Sequence, residues 1–216
     1  MARGRLIVFE GVEGAGKSTQ LARLVAHWQS AGQLVHAHRE PGGTAVGERA
    51  RATVLDPALT VAPRAEALLF LASRAQLLHE RVRPALARGE TVCLDRFFLS
   101  TYAYQIHGRG LPDDALRAAN AFATDGIVPD CTVLLTLPGA EGLRRAAVRG
   151  ASDRMEQADA AFHARVDAAF RSFAAPEWQA AHPECGPITA VDAVGSADEV
   201  FARVHAAVRA QCPELA

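Results

Sequence analysis

Short apolar runs alternate with longer amphipathic segments along this chain, and the alternation predicts a parallel β-sheet covered by helices. An uninterrupted apolar run is typical of a strand that is buried on both faces, because helices exclude water from each side. Five such runs lie at 5–10, 34–38, 91–95, 132–137 and 187–192. The sequence therefore predicts an α/β fold with a five-stranded parallel sheet flanked by helices.

Two helices in the first half of the chain are predicted from apolar positions that recur at helical spacing. One covers 21–28, and Gly32 offers a stop after it. The other covers 64–83, where leucines and alanines form a wide apolar stripe. Pro84 is expected to interrupt this second helix, because proline has no backbone N–H to donate.

Three more helices are predicted in the second half of the chain. One runs over 113–124, and another runs over 162–173, where Pro176 is expected to bend or end it. The last begins at a capping box formed by Ser196 and Glu199. Two further segments are predicted to be a surface loop and a tail, at 176–186 and 206–216.

Composition favours a single domain over residues 1–216, since half of the residues are hydrophobic and can form one core. The formal net charge of −1 predicts no general attraction to nucleic acid or to a membrane surface. The basic start precedes too few apolar residues for a signal peptide, and no run approaches the ~20 apolar residues of a membrane span. Four widely spaced cysteines are expected to be reduced thiols of a cytoplasmic protein: Cys93, Cys131, Cys185 and Cys212.

One glycine-rich segment matches the phosphate-binding loop pattern G-x-x-x-x-G-K-[ST]. Its Lys17 is the only lysine among the 216 residues, and arginine supplies the rest of the 23 lysine and arginine side chains. A compact ammonium fits inside a ring of backbone amides, where a planar guanidinium is too bulky. Lys17 is expected to reach the β- and γ-phosphates of a nucleoside triphosphate, and the Ser18 hydroxyl is expected to bind Mg²⁺. The loop consists of Gly11, Val12, Glu13, Gly14, Ala15, Gly16, Lys17 and Ser18.

Further charged residues are placed to act on bound phosphates. Asp95 and Arg96 follow the third apolar run, and ligands of open α/β sheets bind at the carboxyl ends of the strands. Asp95 is expected to orient Mg²⁺ through water, and Arg96 to hold a phosphate. The arginine-rich segment 141–156 is interpreted as a lid over the triphosphate. Its arginines are Arg144, Arg145, Arg149 and Arg154.

Two classes of nucleotide-binding protein do not fit these motifs. A GTPase reads guanine with an Asn/Thr-Lys-x-Asp motif, and the chain contains no second lysine. The loop also differs from the G-x-G-x-x-G pattern of dinucleotide-binding oxidoreductases.

Several segments together resemble bacterial thymidylate kinases, over roughly residues 4–205. They are the phosphate loop with the preceding Glu10, Arg39-Glu40-Pro41-Gly42-Gly43-Thr44, Asp95-Arg96-Phe97, Ser100-Thr101-Tyr102-Ala103-Tyr104-Gln105 and Asp153-Arg154-Met155-Glu156. The resemblance implies the phosphate-loop nucleoside monophosphate kinase fold. It also implies phosphoryl transfer from ATP to dTMP, giving dTDP and ADP with Mg²⁺ as the cofactor.

The resemblance assigns roles to individual residues. Phe70 would stack on thymine, Arg74 would donate to its O4, and Thr101 would face its N3–H. Tyr104 would crowd a ribose 2′-hydroxyl, and Glu13 would meet the 3′-hydroxyl of the acceptor. The loop from Gly11 to Thr19 would bind ATP. The other implied dTMP-binding residues are Arg39, Pro41 as a cis-proline candidate, Arg51, Arg96, Ser100 and Gln105.

The same family places a catalytic arginine either in the phosphate loop or in the lid. The loop of this chain contains no arginine, so Arg149 and Arg154 of the lid are the predicted transition-state residues. The other predicted catalytic residues are Lys17, Asp95, Arg96 and Glu13. The resemblance further implies a homodimer, to which the stripe at 64–83 could contribute.

Two alternatives remain open at this point. One is a phosphate-loop kinase of another nucleoside monophosphate or of a small metabolite. The other is an ATP-driven binding or regulatory switch, although a switch needs no second nucleotide pocket.

Overall fold

Five parallel strands form one sheet in the computed structural model, which describes residues 3–138, 141–142, 144–145 and 153–215. The strand order is β2-β3-β1-β4-β5. The predicted sheet is confirmed, and each strand begins and ends within one residue of its apolar run. The strands are β1 (Leu6–Gly11), β2 (Val35–Arg39), β3 (Thr91–Asp95), β4 (Cys131–Thr136) and β5 (Ile188–Asp192).

Helices cover both faces of the sheet. They are α1 (Lys17–Ser30), α2 (Ala45–Leu55), α3 (Pro63–Leu77), α4 (Arg83–Ala87), α5 (Phe98–Thr101), α6 (Asp113–Thr124), α7 (Ala160–Ser172), α8 (Pro176–Ala181) and α9 (Ala197–Gln211). Two π-helical turns, Leu78–Val82 and Tyr102–Gly108, follow α3 and α5 directly. Short 3₁₀ turns lie at Pro183–Cys185 and Pro213–Leu215.

Alternate residues of β1 separate the two halves of the core. Ile7 and Phe9 pack with the apolar faces of α1 and α9, whereas Leu6 and Val8 pack with α7 and with the helices on its side of the sheet. All six residues of β1 are buried. This double burial explains why the strand is an uninterrupted apolar run, and it fixes the carboxyl end of β1 between two covered faces.

The helical path of α3 does not stop at Pro84, so the predicted interruption is wrong. The π-helical turn Leu78–Val82 connects α3 to α4, and Pro84 lies in the first turn of α4. At that position the missing N–H costs little, because the first N–H groups of a helix have no partner within it.

The predicted loop and tail are also wrong. Residues 176–181 form α8 with Pro176 at its start, and the preceding helix α7 already ends at Ser172. Residues 206–211 complete α9, and Cys212 and Leu215 are buried against the core. Two prolines and a glycine obscure the pattern in 176–186, and four alanines weaken it in 206–216, so tertiary packing rather than local pattern determines both structures.

Other local predictions are confirmed. The helix over 113–124 has the predicted bounds, and the capping box of Ser196 and Glu199 opens α9. All four cysteines are free and buried. In the part of the chain that the structure describes, no helix could span a membrane.

Candidate active site at the carboxyl edge of the sheet

The phosphate loop joins the end of β1 to the first turn of α1, as the pattern predicts. Gly16 precedes the helix with φ = 88°, a left-handed conformation that favours glycine, and a Cβ there would meet open space. A Cβ on Gly14 would lie 2.1 Å from the carbonyl oxygen of Gly142, so the segment after β4 packs directly on the loop. The loop amides and the start of α1 therefore face an open space with partial positive charge, which suits a phosphate.

Lys17 lies inside this loop and is 6% exposed. Its Nζ donates to the carbonyl oxygens of Gly11 at 3.0 Å and Val12 at 2.9 Å. Burial, together with the nearby charge of Arg96, lowers the pKa of Lys17 from 10.5 to about 8. The ammonium is thus held by backbone carbonyls in a position where a phosphate would meet it.

Two oxygen-bearing side chains converge beside the loop. The Ser18 hydroxyl donates to Asp95 Oδ2 at 2.5 Å, which joins the start of α1 to the end of β3. Hydroxyl and carboxylate oxygens are hard donors of the kind that Mg²⁺ prefers. The donor set therefore fits the predicted magnesium site.

Glu10, fully buried at the end of β1, holds the turn that carries Arg96. Its Oε1 accepts from the backbone N–H groups of Phe97 at 2.7 Å and Ser100 at 3.0 Å, and its Oε2 accepts from the Ser100 hydroxyl at 2.7 Å. Arg96 itself has φ = 75°, which is uncommon for a residue with a Cβ. Sequence reasoning did not assign this positioning role to Glu10, although the acidic residue at the end of an apolar strand was a signal for it.

Arg96 connects the two sides of the site. Its guanidinium donates to Glu13 Oε2 at 2.8 Å and to the Ser100 hydroxyl at 3.0 Å, and it lies 5.2 Å from the centre of the Tyr104 ring. Burial raises the pKa of Tyr104. A cation held over an aromatic ring and between two polar groups has little freedom to turn, so Arg96 presents a fixed charge to the cleft.

Arg74 forms the centre of a buried polar network. Its guanidinium makes four hydrogen bonds: from Nε to Glu40 Oε2 at 2.7 Å, from Nη1 to Thr101 Oγ1 and Asn120 Oδ1, and from Nη2 to the carbonyl oxygen of Phe97. Its Nη2 also lies 2.7 Å from Glu40 Oε2 in an ion pair. Burial raises the pKa of Glu40, and the Arg74 charge opposes that rise. The Glu40–Pro41 peptide bond is cis, as the resemblance implies. A donation from Arg74 to a base would therefore be shared with a protein acceptor or would replace one.

Arg39 and Arg51 lie at the same end of the sheet. Arg51 donates to the carbonyl oxygen of Pro41 at 3.0 Å, and Arg39 donates to Glu48 at 3.3 Å. Burial and the neighbouring Arg39 charge both lower the pKa of Arg51. Two guanidinium groups that repel one another favour an anion between them.

These residues surround a cavity of about 380 Å³, a volume typical of small-molecule sites. The loop residues Gly11, Val12 and Ala15 do not line it, but most of the predicted site residues do: Glu13, Gly14, Gly16, Lys17, Ser18, Thr19, Arg39, Pro41, Arg51, Phe70, Arg74, Asp95, Arg96, Ser100, Thr101, Tyr104 and Gln105. Six further lining residues were missed: Glu40, Leu55, Asp153, Met155, Glu156 and His163. The motifs around Pro41 and Arg154 marked Glu40, Asp153, Met155 and Glu156, whereas no pattern marked Leu55 or His163.

The lid arginines are placed differently. Arg149 lies outside the described residues. Arg154 is not among the described residues that line the cavity, and its guanidinium donates to Glu66 at 2.7 Å and to the carbonyl oxygen of Val54 at 2.8 Å. In this conformation the Arg154 guanidinium is bound to protein groups and does not line the cavity.

A second cavity, of about 270 Å³, lies on the other side of the phosphate loop. Gly14, Gly16 and Thr19 line both cavities, so the loop separates two adjoining spaces. Ala15 of the loop and Arg145 of the predicted lid also line the second cavity. Sequence reasoning missed the rest of its wall, which consists of Gln20, Ala193, Gly195, Ala197 and Val200.

A phosphate loop at the carboxyl edge of a parallel sheet, with a cleft of arginines beside it, defines a phosphate-loop nucleotide-binding protein of the α/β class. The thymidylate kinase family model matches residues 9–184. A thymidylate kinase of Deinococcus radiodurans is 50% identical over 208 residues, which cover 96% of this chain and 98% of the relative. Thymidylate kinases of Chlorobium chlorochromatii (48% identical; 74% of this chain and 78% of the relative) and Bifidobacterium longum subsp. infantis (40%; 95% and 86%) are also similar. The chain belongs to the thymidylate kinase family.

Proposed function

We propose that this protein transfers the γ-phosphoryl group of ATP to dTMP, giving dTDP and ADP, with Mg²⁺ as cofactor. One observation carries the proposal: a single cavity has the phosphate loop on one side and arginines with half-buried aromatic rings on the other. Such a cleft suits two phosphorylated ligands that meet end to end. Family membership gives the substrate, because the relatives are thymidylate kinases.

ATP occupies the loop and the second cavity in this proposal. The triphosphate lies over the N–H groups of the loop, and the base lies in the space lined by Arg145, Gly195 and Ala197. The loop supports this arrangement because Gly14 and Gly16 border both spaces. Ser18 and Asp95 would hold Mg²⁺, which would supply positive charge to neutralise the triphosphate.

The acceptor nucleotide occupies the main cavity. Arg39, Arg51 and Arg96 hold its phosphate, and Pro41, Ser100 and Gln105 complete the walls. Phe70 stacks on thymine, Thr101 and Arg74 meet its polar edge, and Tyr104 excludes a ribose 2′-hydroxyl. The donation from Arg74 Nη1 to Thr101 Oγ1, at 2.9 Å, keeps the two base-reading groups together.

Catalysis in this proposal comes from alignment and charge rather than from proton transfer by a group of unusual pKa. Lys17 and Arg96 stabilise the transferring phosphoryl group, Asp95 orients the metal, and Glu13 meets the acceptor's 3′-hydroxyl. The contact between Glu13 and Arg96 joins the donor loop to the acceptor phosphate site. Arg149 remains the predicted lid cation.

An acceptor panel tests the proposal. ADP release and the diphosphate product are measured with dTMP, dUMP, UMP, CMP, AMP and GMP, with Lys17→Ala as the inactive control. We expect dTMP to have the highest kcat/KM, and loss of the single methyl group in dUMP to cost about 10- to 200-fold. Equal use of all acceptors would favour a kinase of another metabolite, and ATP binding without any transfer would favour a switch.

We also propose a homodimer through α3 and α6, which pack against each other. Leu68 on α3 is 63% exposed and Phe122 on α6 is 91% exposed, and apolar side chains of this size favour burial against a second copy.

We expect Phe122→Glu to change the species seen in sedimentation velocity from dimer to monomer. The control is Leu34→Glu, which changes an equally apolar exposed side chain between α1 and β2. A wild-type protein that sediments as a monomer at micromolar concentration would contradict the dimer.

A further inference from the structure

A fully buried carboxylate lies behind the acceptor cavity and belongs to no step of the proposed reaction. Glu66, in the first turn of α3, has no exposed surface. Its Oε1 accepts from Gln105 at 3.0 Å and from Arg109 Nε at 3.1 Å, and its Oε2 accepts from Arg109 at 3.0 Å and Arg154 at 2.7 Å. One carboxylate thus receives four donors from two distant parts of the chain.

Both guanidinium groups have further partners that fix their positions. Arg109 lies 4.4 Å from the centre of the Phe162 ring on α7. Arg154 donates through Nε to the carbonyl oxygen of Val54 at the end of α2, and its backbone N–H donates to Leu55. Glu66 is a buried carboxylate shared by both guanidinium groups, so the loss of either one weakens the compensation of its charge.

The segment that carries Arg154 forms a wall of the acceptor cavity. Asp153 Oδ1 accepts from the backbone N–H groups of Met155 at 2.8 Å and Glu156 at 3.0 Å, which closes a tight turn. Asp153, Met155 and Glu156 line the cavity, whereas the Arg154 side chain points to Glu66. Gln105, another partner of Glu66, lines the same cavity.

We propose that Glu66 is a positioning residue for dTMP: it fixes the turn Asp153–Glu156 and Gln105 against the acceptor site, and Arg154 acts through Glu66 rather than on the transferring phosphate. The proposal rests on the proposed function, since it assigns the cavity to dTMP. It is an alternative to the sequence-based assignment of Arg154 as a transition-state arginine, which stays a prediction.

The test compares Arg154→Gln, Glu66→Gln and the double variant in steady-state kinetics. We expect each single variant to raise the KM for dTMP about tenfold and the double variant to raise it by no more than either single variant, while kcat falls less than about threefold and the KM for ATP stays within about twofold. Arg171→Gln is the matched control, because Arg171 pairs with Asp167 on the exposed surface of α7. A fall in kcat of about 100-fold or more in Arg154→Gln, with the KM for dTMP unchanged and Glu66→Gln near wild type, would overturn the proposal.

Unfolding in urea gives a readout that does not need activity. We expect the losses of stability in Arg154→Gln and Glu66→Gln to be strongly non-additive, with a coupling of about tenfold or more in the unfolding equilibrium constant. Arg154→Lys keeps the charge but loses the fork that reaches both Glu66 and Val54, so it should recover only part of the coupling. Additive losses would overturn the positioning role, whereas inactivity of the wild type towards dTMP would contradict only the proposed function.

Discussion

Lys17→Met is expected to lower kcat/KM for phosphoryl transfer by at least about 100- to 1,000-fold, the usual loss when one preorganised donor to a transition-state charge is removed. Met is unbranched like lysine and only slightly shorter, but it carries no charge. The backbone N–H groups of the loop remain, so the KM for ATP should change far less than kcat. A coupled assay of ADP release with dTMP measures both constants.

Two variants sharpen this test. Lys17→Arg keeps the charge, but its planar fork is too bulky for the space between the carbonyl oxygens of Gly11 and Val12, so we expect it to recover little activity. Arg88→Met removes an exposed cation that pairs with Glu90, and it should behave as wild type. Substantial transfer by Lys17→Met would show that the ammonium is not required, and the proposed mechanism would be wrong.

The lowered pKa of Lys17 also predicts how the stability of the protein changes with pH. Between about pH 8 and 10.5 the unfolded chain carries a proton on Lys17 that the folded protein lacks, so the free energy of unfolding should rise with pH. At about 1.4 kcal/mol per pKa unit the rise attributable to this group is roughly 3 kcal/mol, and it should be absent from Lys17→Met.

Because the chain has a single lysine, ¹³C-dimethylated protein should show one side-chain amine resonance that titrates near pH 8. A resonance that titrates near 10.5 would contradict the burial argument.

The sequence predicted the sheet well because buried parallel strands leave a strong local signal. The run at 91–95 coincides with β3, and both faces of β1 are apolar because both are covered. The phosphate loop was equally predictable, because its geometry needs glycines and a lysine at fixed positions and their spacing is visible in the sequence. The interruption predicted at Pro84 was wrong because the effect of this proline depends on the preceding π-helical turn, which has no sequence signature here.

The buried carboxylates could not be predicted in this way. Glu10 accepts from a backbone N–H 87 positions away, and Glu66 accepts from a guanidinium 88 positions away. A single sequence records the charge of such residues but not their partners, because the pairing arises only when distant elements pack. For this reason Arg154 looked like a mobile lid cation, although the structure pairs it with Glu66.

Arg74→Met is expected to lower the free energy of unfolding by about 3 to 5 kcal/mol, the usual cost of leaving one partner of a buried ion pair uncompensated. Glu40 is 4% exposed, and its Oε1 already has no hydrogen-bond partner within the described part of the chain. Without Arg74 its Oε2 loses the hydrogen bond from Nε and the ion-pair contact with Nη2 as well. In a chain of this size the loss corresponds to a fall in Tm of about 6 to 20 °C, which thermal unfolding measures.

The pH dependence of this loss identifies Glu40 as its source. Removing the Arg74 charge raises the pKa of the buried carboxyl further, so the folded variant binds a proton that the unfolded chain releases above about pH 4.3. Stability of Arg74→Met should therefore fall as pH rises, and urea unfolding should show a larger deficit at pH 8 than at pH 5. Glu40→Gln combined with Arg74→Met should recover part of the loss at pH 8, because a neutral amide needs no counter-charge. A deficit that is equal at both pH values, and unchanged in the double variant, would mean that lost packing on Phe97 rather than a stranded carboxylate causes the instability.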